Sequence, residues 1–158
     1  MSVLVGYPEK CIGCGLCERA CSFKHEKEFN PSLSRIKVER NESRAFFAPV
    51  FCTQCGYAPC AKVCPTDALV KNSKKGVMEW YKDKCIGCGL CIPACPFGAV
   101  MFVNEEVIKC DLCDGDPECV KICPADALRF IDARDVGKDK RASILRKNIE
   151  ALREKGGE

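Results

Sequence analysis

The apolar positions of this chain form short runs separated by charged and polar residues. Five of these runs predict short β-strands, at 3–5, 69–70, 77–80, 100–103 and 128–131. A membrane-spanning helix needs about 20 predominantly apolar residues. No run approaches that length, so the pattern predicts no transmembrane helix.

Two segments between the strands at 3–5 and 69–70 have the patterns of two further strands. Residues 35–39 alternate between apolar and charged side chains, and residues 46–51 are apolar apart from an interruption at Pro49. Together they predict a hairpin-like arm inserted over about 24–51.

The C-terminal stretch has a helical period. Ala142, Leu145, Ile149 and Leu152 recur at helical spacing among charged residues, and Gly156-Gly157 is expected to end the helix. The apolar stripe has two interpretations. It packs on the rest of the chain, or it docks on a partner chain.

Composition changes this picture through one residue type, because 16 of the 158 residues are cysteines. Without them the apolar supply is lean for a purely hydrophobic core. In a short secreted chain they would predict disulfides. The N-terminus has no basic segment followed by a long apolar run, so we expect no secretory signal and a reducing, cytoplasmic location. Metal binding is then the favoured interpretation.

The cysteines occur in four groups of four. Groups one and three read C-x2-C-x2-C-x3-C, group two reads C-x2-C-x4-C-x3-C and group four reads C-x2-C-x5-C-x3-C. The last cysteine of groups two, three and four precedes a proline. The groups are Cys11, Cys14, Cys17 and Cys21; Cys52, Cys55, Cys60 and Cys64; Cys85, Cys88, Cys91 and Cys95; and Cys110, Cys113, Cys119 and Cys123.

This spacing is that of bacterial [4Fe-4S] ferredoxins, in which the fourth cysteine of a group ligates the other cluster of a pair. Three cysteines in one loop can hold three iron corners of a cubane, and the fourth can reach a neighbouring cube. Structural zinc sites usually take their ligands as two separated pairs. The sequence therefore predicts four [4Fe-4S] clusters held by all sixteen cysteines, in preference to zinc or disulfides.

The groups also repeat in sequence. Groups one and three share the string Cys-Ile-Gly-Cys-Gly-Leu-Cys. Short strands around one-turn, ligand-bearing helices predict an α+β fold of two pseudo-symmetric ferredoxin-like units around the four clusters, plus a C-terminal helix. We expect a four-cluster domain over 1–132 and a charged amphipathic helix and tail over 133–158.

The formal net charge of +3 applies to the chain with neutral thiols. Four oxidised clusters with their thiolates add about −8, so the loaded protein is acidic apart from a basic tail. A basic isoelectric point is thus no sign of nucleic-acid binding, and no nucleic-acid-reading motif occurs. In group four, nearby acidic residues predict a lower cluster potential, or simply a solvated loop: Asp111, Asp114, Asp116 and Glu118.

No catalytic residue is expected in this chain. The single histidine, His25, has no free cysteine to activate and is predicted to be a surface or packing residue. No phosphate-binding glycine-rich loop and no flavin or pterin motif occurs, so the bond-making chemistry would lie in a partner.

From Cys11 to about Ile131 the chain resembles the four-cluster electron-transfer subunits of the dimethyl sulfoxide reductase and formate dehydrogenase type. A narrower resemblance is to the small soluble iron-sulfur subunits that serve tungsten aldehyde oxidoreductases, carbon monoxide dehydrogenases and related anaerobic enzymes. It is carried by residues 21–26 and 29–36 and by the short loop from Cys110 to Cys119.

The resemblance implies a nested pairing of the groups, and sequential pairing of one with two and three with four is the alternative. In the nested pairing, cluster one is held by Cys11, Cys14, Cys17 and Cys123; cluster two by Cys52, Cys55, Cys60 and Cys95; cluster three by Cys85, Cys88, Cys91 and Cys64; and cluster four by Cys110, Cys113, Cys119 and Cys21.

The function implied is that of a non-catalytic electron-transfer subunit. It relays electrons between a larger catalytic subunit, favoured to be a tungsten or molybdenum pterin enzyme, and another redox partner such as a flavin subunit or a soluble ferredoxin. The alternatives are a free polyferredoxin shuttle and a subunit of a carbon monoxide dehydrogenase, formate dehydrogenase or hydrogenase.

Overall fold

A computed structural model describes the backbone of residues 1–155 and the side chains of residues 1–145 and 149. The side chain of Leu152 and the pair Gly156-Gly157, both invoked above for the C-terminal helix, lie outside the described residues.

The described residues form eight strands and five α-helices, with single turns of 3-10 helix between them. The strands are β1 (Ser2–Gly6), β2 (Ile36–Asn41), β3 (Phe46–Phe51), β4 (Leu69–Asn72), β5 (Val77–Trp80), β6 (Met101–Val103), β7 (Glu106–Ile108) and β8 (Leu128–Asp132). The helices are α1 (Leu16–Glu26), α2 (Pro59–Lys62), α3 (Cys91–Ala94), α4 (Glu118–Lys121) and α5 (Val136–Lys155).

The strands pair as four separate two-stranded antiparallel sheets. Three are local hairpins, β2–β3, β4–β5 and β6–β7. The fourth joins the two ends of the cysteine-containing region, because β1 pairs with β8 and sets Leu4 opposite Phe130. All five strands predicted from the apolar runs are present. Strand β7 was not predicted from the sequence.

This pairing decides which cysteine groups meet. Strand β1 precedes group one and β8 follows group four, so their pairing draws those two groups together. Strand β4 follows group two and β5 precedes group three, so the β4–β5 hairpin draws the middle groups together. Accordingly, α1 packs against α4 and α2 packs against α3.

Helix α1 differs from the one-turn helices expected. Helices α2, α3 and α4 have four residues each, whereas α1 has eleven. The residue before a proline is disfavoured in helical conformation, and a Cys-Pro pair follows soon after each short helix. Cys21 has no such proline, so α1 continues to Glu26 and ends at Lys27 in a left-handed conformation.

The segment between groups one and two contains the β2–β3 hairpin, which packs against the core. Its first part, residues 24–26, belongs to α1. Ile36, Val38 and Phe51 of the hairpin are buried in the same apolar core as Cys17 and Cys21. The division at residue 132 stays a prediction.

Helix α5 is attached at its beginning and uncovered further along. Asp139 accepts a hydrogen bond from the Arg129 guanidinium at 2.5 Å and another from the Tyr7 hydroxyl. Leu145 and Ile149 are 60% and 41% exposed, so the rest of the chain does not cover these two residues of the apolar stripe. None of the helices in residues 1–155 has both the length and the apolarity that crossing a bilayer requires.

Candidate metal centres

Four small cavities of similar size contain all sixteen cysteines. Each is lined by the first three cysteines of one group and the last cysteine of another. Cavity one has Cys11, Cys14, Cys17 and Cys123; cavity two has Cys52, Cys55, Cys60 and Cys95; cavity three has Cys85, Cys88, Cys91 and Cys64; cavity four has Cys110, Cys113, Cys119 and Cys21.

The donor set of these cavities suits iron-sulfur clusters. Four thiols converge in each one, and soft thiolate ligands are those that iron-sulfur clusters take. Burial raises the pKa of Cys17 and of Cys110 to about 12. Burial likewise raises the pKa of Cys119 well above the ordinary thiol value. Such thiols ionise only when a cation compensates their charge, so loading with metal would release protons.

The fourth cysteine of each group accepts a backbone hydrogen bond. In groups two, three and four the donor is the alanine four residues later: Ala68 N–H to Cys64 Sγ at 3.3 Å, Ala99 to Cys95 at 3.4 Å and Ala127 to Cys123 at 3.3 Å. Group one continues as a helix, and its Cys21 Sγ accepts from the Arg35 N–H at 3.3 Å instead. Hydrogen bonds to the sulfurs are one determinant of cluster potential.

The turn that delivers these alanine N–H groups depends on the residue before each alanine. Asp67, Gly98 and Asp126 all have positive φ, between 51° and 61°. Glycine adopts this conformation freely, and aspartate is several-fold enriched there. The recurring Cys-Pro-x-Asp/Gly-Ala string therefore encodes a turn that brings an N–H back onto sulfur.

The two identical loops have different surroundings. Gly13 and Gly87 occupy the same place in the repeat, with φ of 71° and 69°. A Cβ on Gly13 would lie 2.6 Å from the Phe47 ring of β3, whereas a Cβ on Gly87 would meet only Phe102, at 3.7 Å. The β2–β3 hairpin thus lies over the group-one loop alone.

Exposure separates the four cavities into two kinds. Of the sixteen cysteines, only Cys14 and Cys88 are exposed, and they are the middle cysteines of the two identical loops. Cavities one and three therefore have a cysteine at the surface, while the cysteines of cavities two and four are buried or half-buried.

Shared elements show which cavities are neighbours. Helix α1 carries both Cys17 of cavity one and Cys21 of cavity four. Cys52 of cavity two and Cys110 of cavity four are buried in the same apolar core.

The remaining junction is between cavities two and three. Helix α2 carries Cys60 of cavity two, helix α3 carries Cys91 of cavity three, and the two helices pack against each other. These neighbours give the spatial order one, four, two, three, with the exposed cysteines Cys14 and Cys88 in the two outermost cavities.

Sequence reasoning placed His25 at the surface or in packing, and it missed the position of this side chain. His25 lines cavity four, where its Nε2 lies 3.7 Å from Cys113 Sγ and 3.5 Å from Asp111 Oδ1. Arg35 binds Asp111 at 2.6 Å. The side chains of His25, Asp111 and Cys113 line cavity four, so they are part of that site and not a separate metal site. No local signal reveals this, because His25 and Cys113 are 88 residues apart.

Sequence reasoning also missed Gln54, which lies between Cys52 and Cys55, the first two cysteines of group two. Its Nε2 donates to the Cys110 carbonyl oxygen at 2.7 Å, and its Oε1 accepts from the Met78 N–H at 2.8 Å. Gln54 thus connects the group-two loop to group four and to strand β5.

Comparison with protein families assigns these motifs. A model described as a 4Fe-4S dicluster domain matches residues 43–133, and a second model of the same description matches residues 10–68. The first match spans more than half of the chain, and the two together include all four cysteine groups.

Similar proteins are found among curated sequences. The polyferredoxin-like subunit of an aliphatic sulfonate oxidoreductase from Pyrococcus furiosus is 42% identical over 114 residues, which are 70% of this chain and 65% of that protein. This chain therefore spans just under two thirds of that relative. YsaA of Escherichia coli K12, whose name proposes a role in electron transport, is 41% identical over 115 residues, 66% of this chain and 71% of that protein.

A solved structure shares the fold. One chain of the active-site complex BamBC of benzoyl coenzyme A reductase aligns with a TM-score of 0.50 and 24% identity, covering 100% of this chain and 98% of that chain. At this level of identity the likeness extends to the fold alone.

Proposed function

This chain belongs to the 4Fe-4S dicluster domain family, and from that membership we propose that it is an electron-transfer subunit carrying four [4Fe-4S] clusters. The observation that carries the proposal is the convergence of four cysteine thiols in each of four neighbouring cavities. When bound, the clusters supply one-electron redox chemistry. The chain supplies the ligands, their spacing and the surrounding charge.

The cavity linings support the nested assignment of ligands. Cys123 lines the cavity of the first group, and Cys21 lines that of the fourth. Cys95 and Cys64 are exchanged in the same way between the second and third groups. Each pair of groups then forms one ferredoxin-like unit, which supports the pseudo-symmetric arrangement.

The order of the cavities suggests the route. Electrons would pass along the sequence one, four, two, three, entering and leaving near Cys14 and Cys88, the two exposed cysteines. Because the inner cavities are lined by buried or half-buried cysteines, the protein shields them from water and from unspecific electron exchange.

We assign bond-making chemistry to a larger catalytic partner, and the tungsten or molybdenum pterin type is our proposal for it. The Pyrococcus relative, named as a subunit of an oxidoreductase, supports a role within such a complex. The resemblance of residues 21–36 to subunits of tungsten aldehyde oxidoreductases favours that type.

Anaerobic isolation from the native host, with metal analysis and electron paramagnetic resonance on the same sample, tests this proposal. We expect a brown protein with about sixteen irons per chain, bound to a larger chain that contains tungsten or molybdenum. A brown protein that elutes alone would indicate a free electron shuttle instead of a subunit. A brown complex with a nickel-iron chain would contradict the proposed type of partner. A colourless zinc protein would contradict the proposed electron-transfer function.

A further inference from the structure

Lys109, the residue before Cys110, is a charged side chain in the interior of the molecule. It is 5% exposed, and its ammonium donates hydrogen bonds to the carbonyl oxygens of Met78 and of Cys110, the latter at 3.2 Å. Both of these acceptors are neutral. Lysines are almost never fully buried unless they are paired with an anion, because an uncompensated buried charge is costly.

The ammonium of Lys109 binds one carbonyl oxygen from the lining of each inner cavity, because Met78 lines cavity two and Cys110 lines cavity four. Asp111 already pairs with Arg35 at 2.6 Å. The sulfurs of cavity two and cavity four therefore remain as the counter-charge for the buried ammonium.

The position of the ammonium is fixed between these two cavities. Met78, whose carbonyl it binds, lines cavity two, and Cys110 lines cavity four. Gln54 joins the same two residues from the other side, by bonds to the Met78 N–H and the Cys110 carbonyl. Lys109 and Gln54 thus both bind Met78 and Cys110, one residue from the lining of each inner cavity.

We propose that Lys109 is the counter-ion of the two inner clusters and raises the reduction potentials of both. This inference rests on the proposed function. A cluster with four thiolates becomes more negative on reduction, so a nearby fixed cation stabilises the reduced form more than the oxidised form. At a buried position that attraction is screened less than it would be at the surface. It also opposes the acidic residues of group four, which by themselves predict a lower potential.

The test is a redox titration of the full-length loaded protein, followed by electron paramagnetic resonance. Lys109→Met removes the charge at similar length, Lys109→Arg retains it, and Lys74→Met removes the same charge from an exposed turn. In Lys109→Met we expect two of the four potentials to fall, with the equilibrium constant for reduction lowered about tenfold, or 59 mV for one electron. Lys109→Arg should restore them, and Lys74→Met should leave all four near the wild-type values.

Other outcomes separate this inference from the proposed function. Four potentials unchanged in a fully loaded Lys109→Met protein would overturn the role of Lys109 while leaving the four-cluster function intact. If Lys109→Met assembles only half of its iron and Lys109→Arg assembles all of it, the counter-ion role is supported, since the same attraction acts on assembly. Equal loss in both variants would overturn it, and a wild-type protein without iron would contradict the function instead.

Discussion

Glu18 and Arg40 form an ion pair at 2.6 Å that fastens the β2–β3 hairpin to helix α1. Glu18 lies between Cys17 and Cys21 and is only 5% exposed. Its second oxygen accepts from the Val38 N–H at 3.0 Å, so one carboxylate holds both the backbone and a side chain of the hairpin. Cavity one is therefore supported by a segment that contributes no cysteine to it.

Substitutions of this pair should loosen the hairpin. Glu18→Ala leaves the Val38 N–H without its acceptor, which costs about 1–3 kcal/mol. Arg40→Met should cost about 1 kcal/mol or less, because the Arg40 side chain is 38% exposed and solvent screens the pair. Anaerobic urea titration of the iron-sulfur absorption measures both effects. Arg44→Met, in the exposed turn of the same hairpin, is the control; an equal shift there would argue against a specific role for the pair.

The two identical loops should respond differently to the same substitution. Gly13→Ala introduces a Cβ 2.6 Å from the Phe47 ring, whereas Gly87→Ala meets nothing closer than 3.7 Å. Both variants carry the cost of alanine at positive φ, about 1–2 kcal/mol. Overpacking adds about 1–3 kcal/mol to Gly13→Ala alone. The urea midpoint of bleaching should therefore fall further for Gly13→Ala, and equal midpoints would mean that Phe47 simply moves aside.

Pairs of cysteine substitutions test which ligands share a cluster. With the cavity linings described, Cys14→Ala combined with Cys123→Ala affects one cavity and should cost about four irons. Cys14→Ala combined with Cys64→Ala affects two cavities and should cost about eight irons. Iron analysis of anaerobically reconstituted protein distinguishes the pairs. Sequential pairing of the groups predicts the reverse result.

Release of helix α5 should follow loss of its anchor at Asp139. Asp139→Asn removes the charge that binds Arg129 at 2.5 Å, and Tyr7→Phe removes the hydroxyl that donates to it. We expect faster hydrogen exchange at the beginning of α5 in both variants, with little change in the iron content. Lys138→Met, on the exposed side of the same turn, is the control and should exchange as the wild type does.

The anchor should persist at mildly acid pH. Hydrogen bonding by Tyr7 and the Arg129 charge lower the pKa of Asp139, with Lys10 adding to this, while burial opposes it. A carboxyl whose folded pKa is lowered contributes its full stability above the unfolded value near 3.9 and loses it as the pH falls through the folded pKa. Protection of α5 should thus be the same at pH 7 and pH 5 after correction for intrinsic exchange rates. A marked loss at pH 5 would show that Asp139 does not dominate the anchor.

The sequence by itself determined the chemistry of this protein. Thiol ligands at cluster spacing follow from local chain geometry, because three cysteines within ten residues or fewer must share a loop. The Cys-Pro-x-Asp/Gly-Ala string likewise determines a turn and a sulfur-directed N–H such as that of Ala68. Seven of the eight strands of the described residues could be located from their apolar runs or their alternation, all except β7.

The tertiary structure decided everything that depends on contacts distant in the chain. The pairing of β1 with β8 brought Cys123 beside the first group. Local sequence signals alone do not decide between this nested pairing of the groups and sequential pairing. The tertiary structure also placed His25 against Cys113 and the ammonium of Lys109 between two cavities. The reason is physical: a side chain's charge environment is set by the segments that pack around it, and that packing is decided by strand pairing across more than a hundred residues.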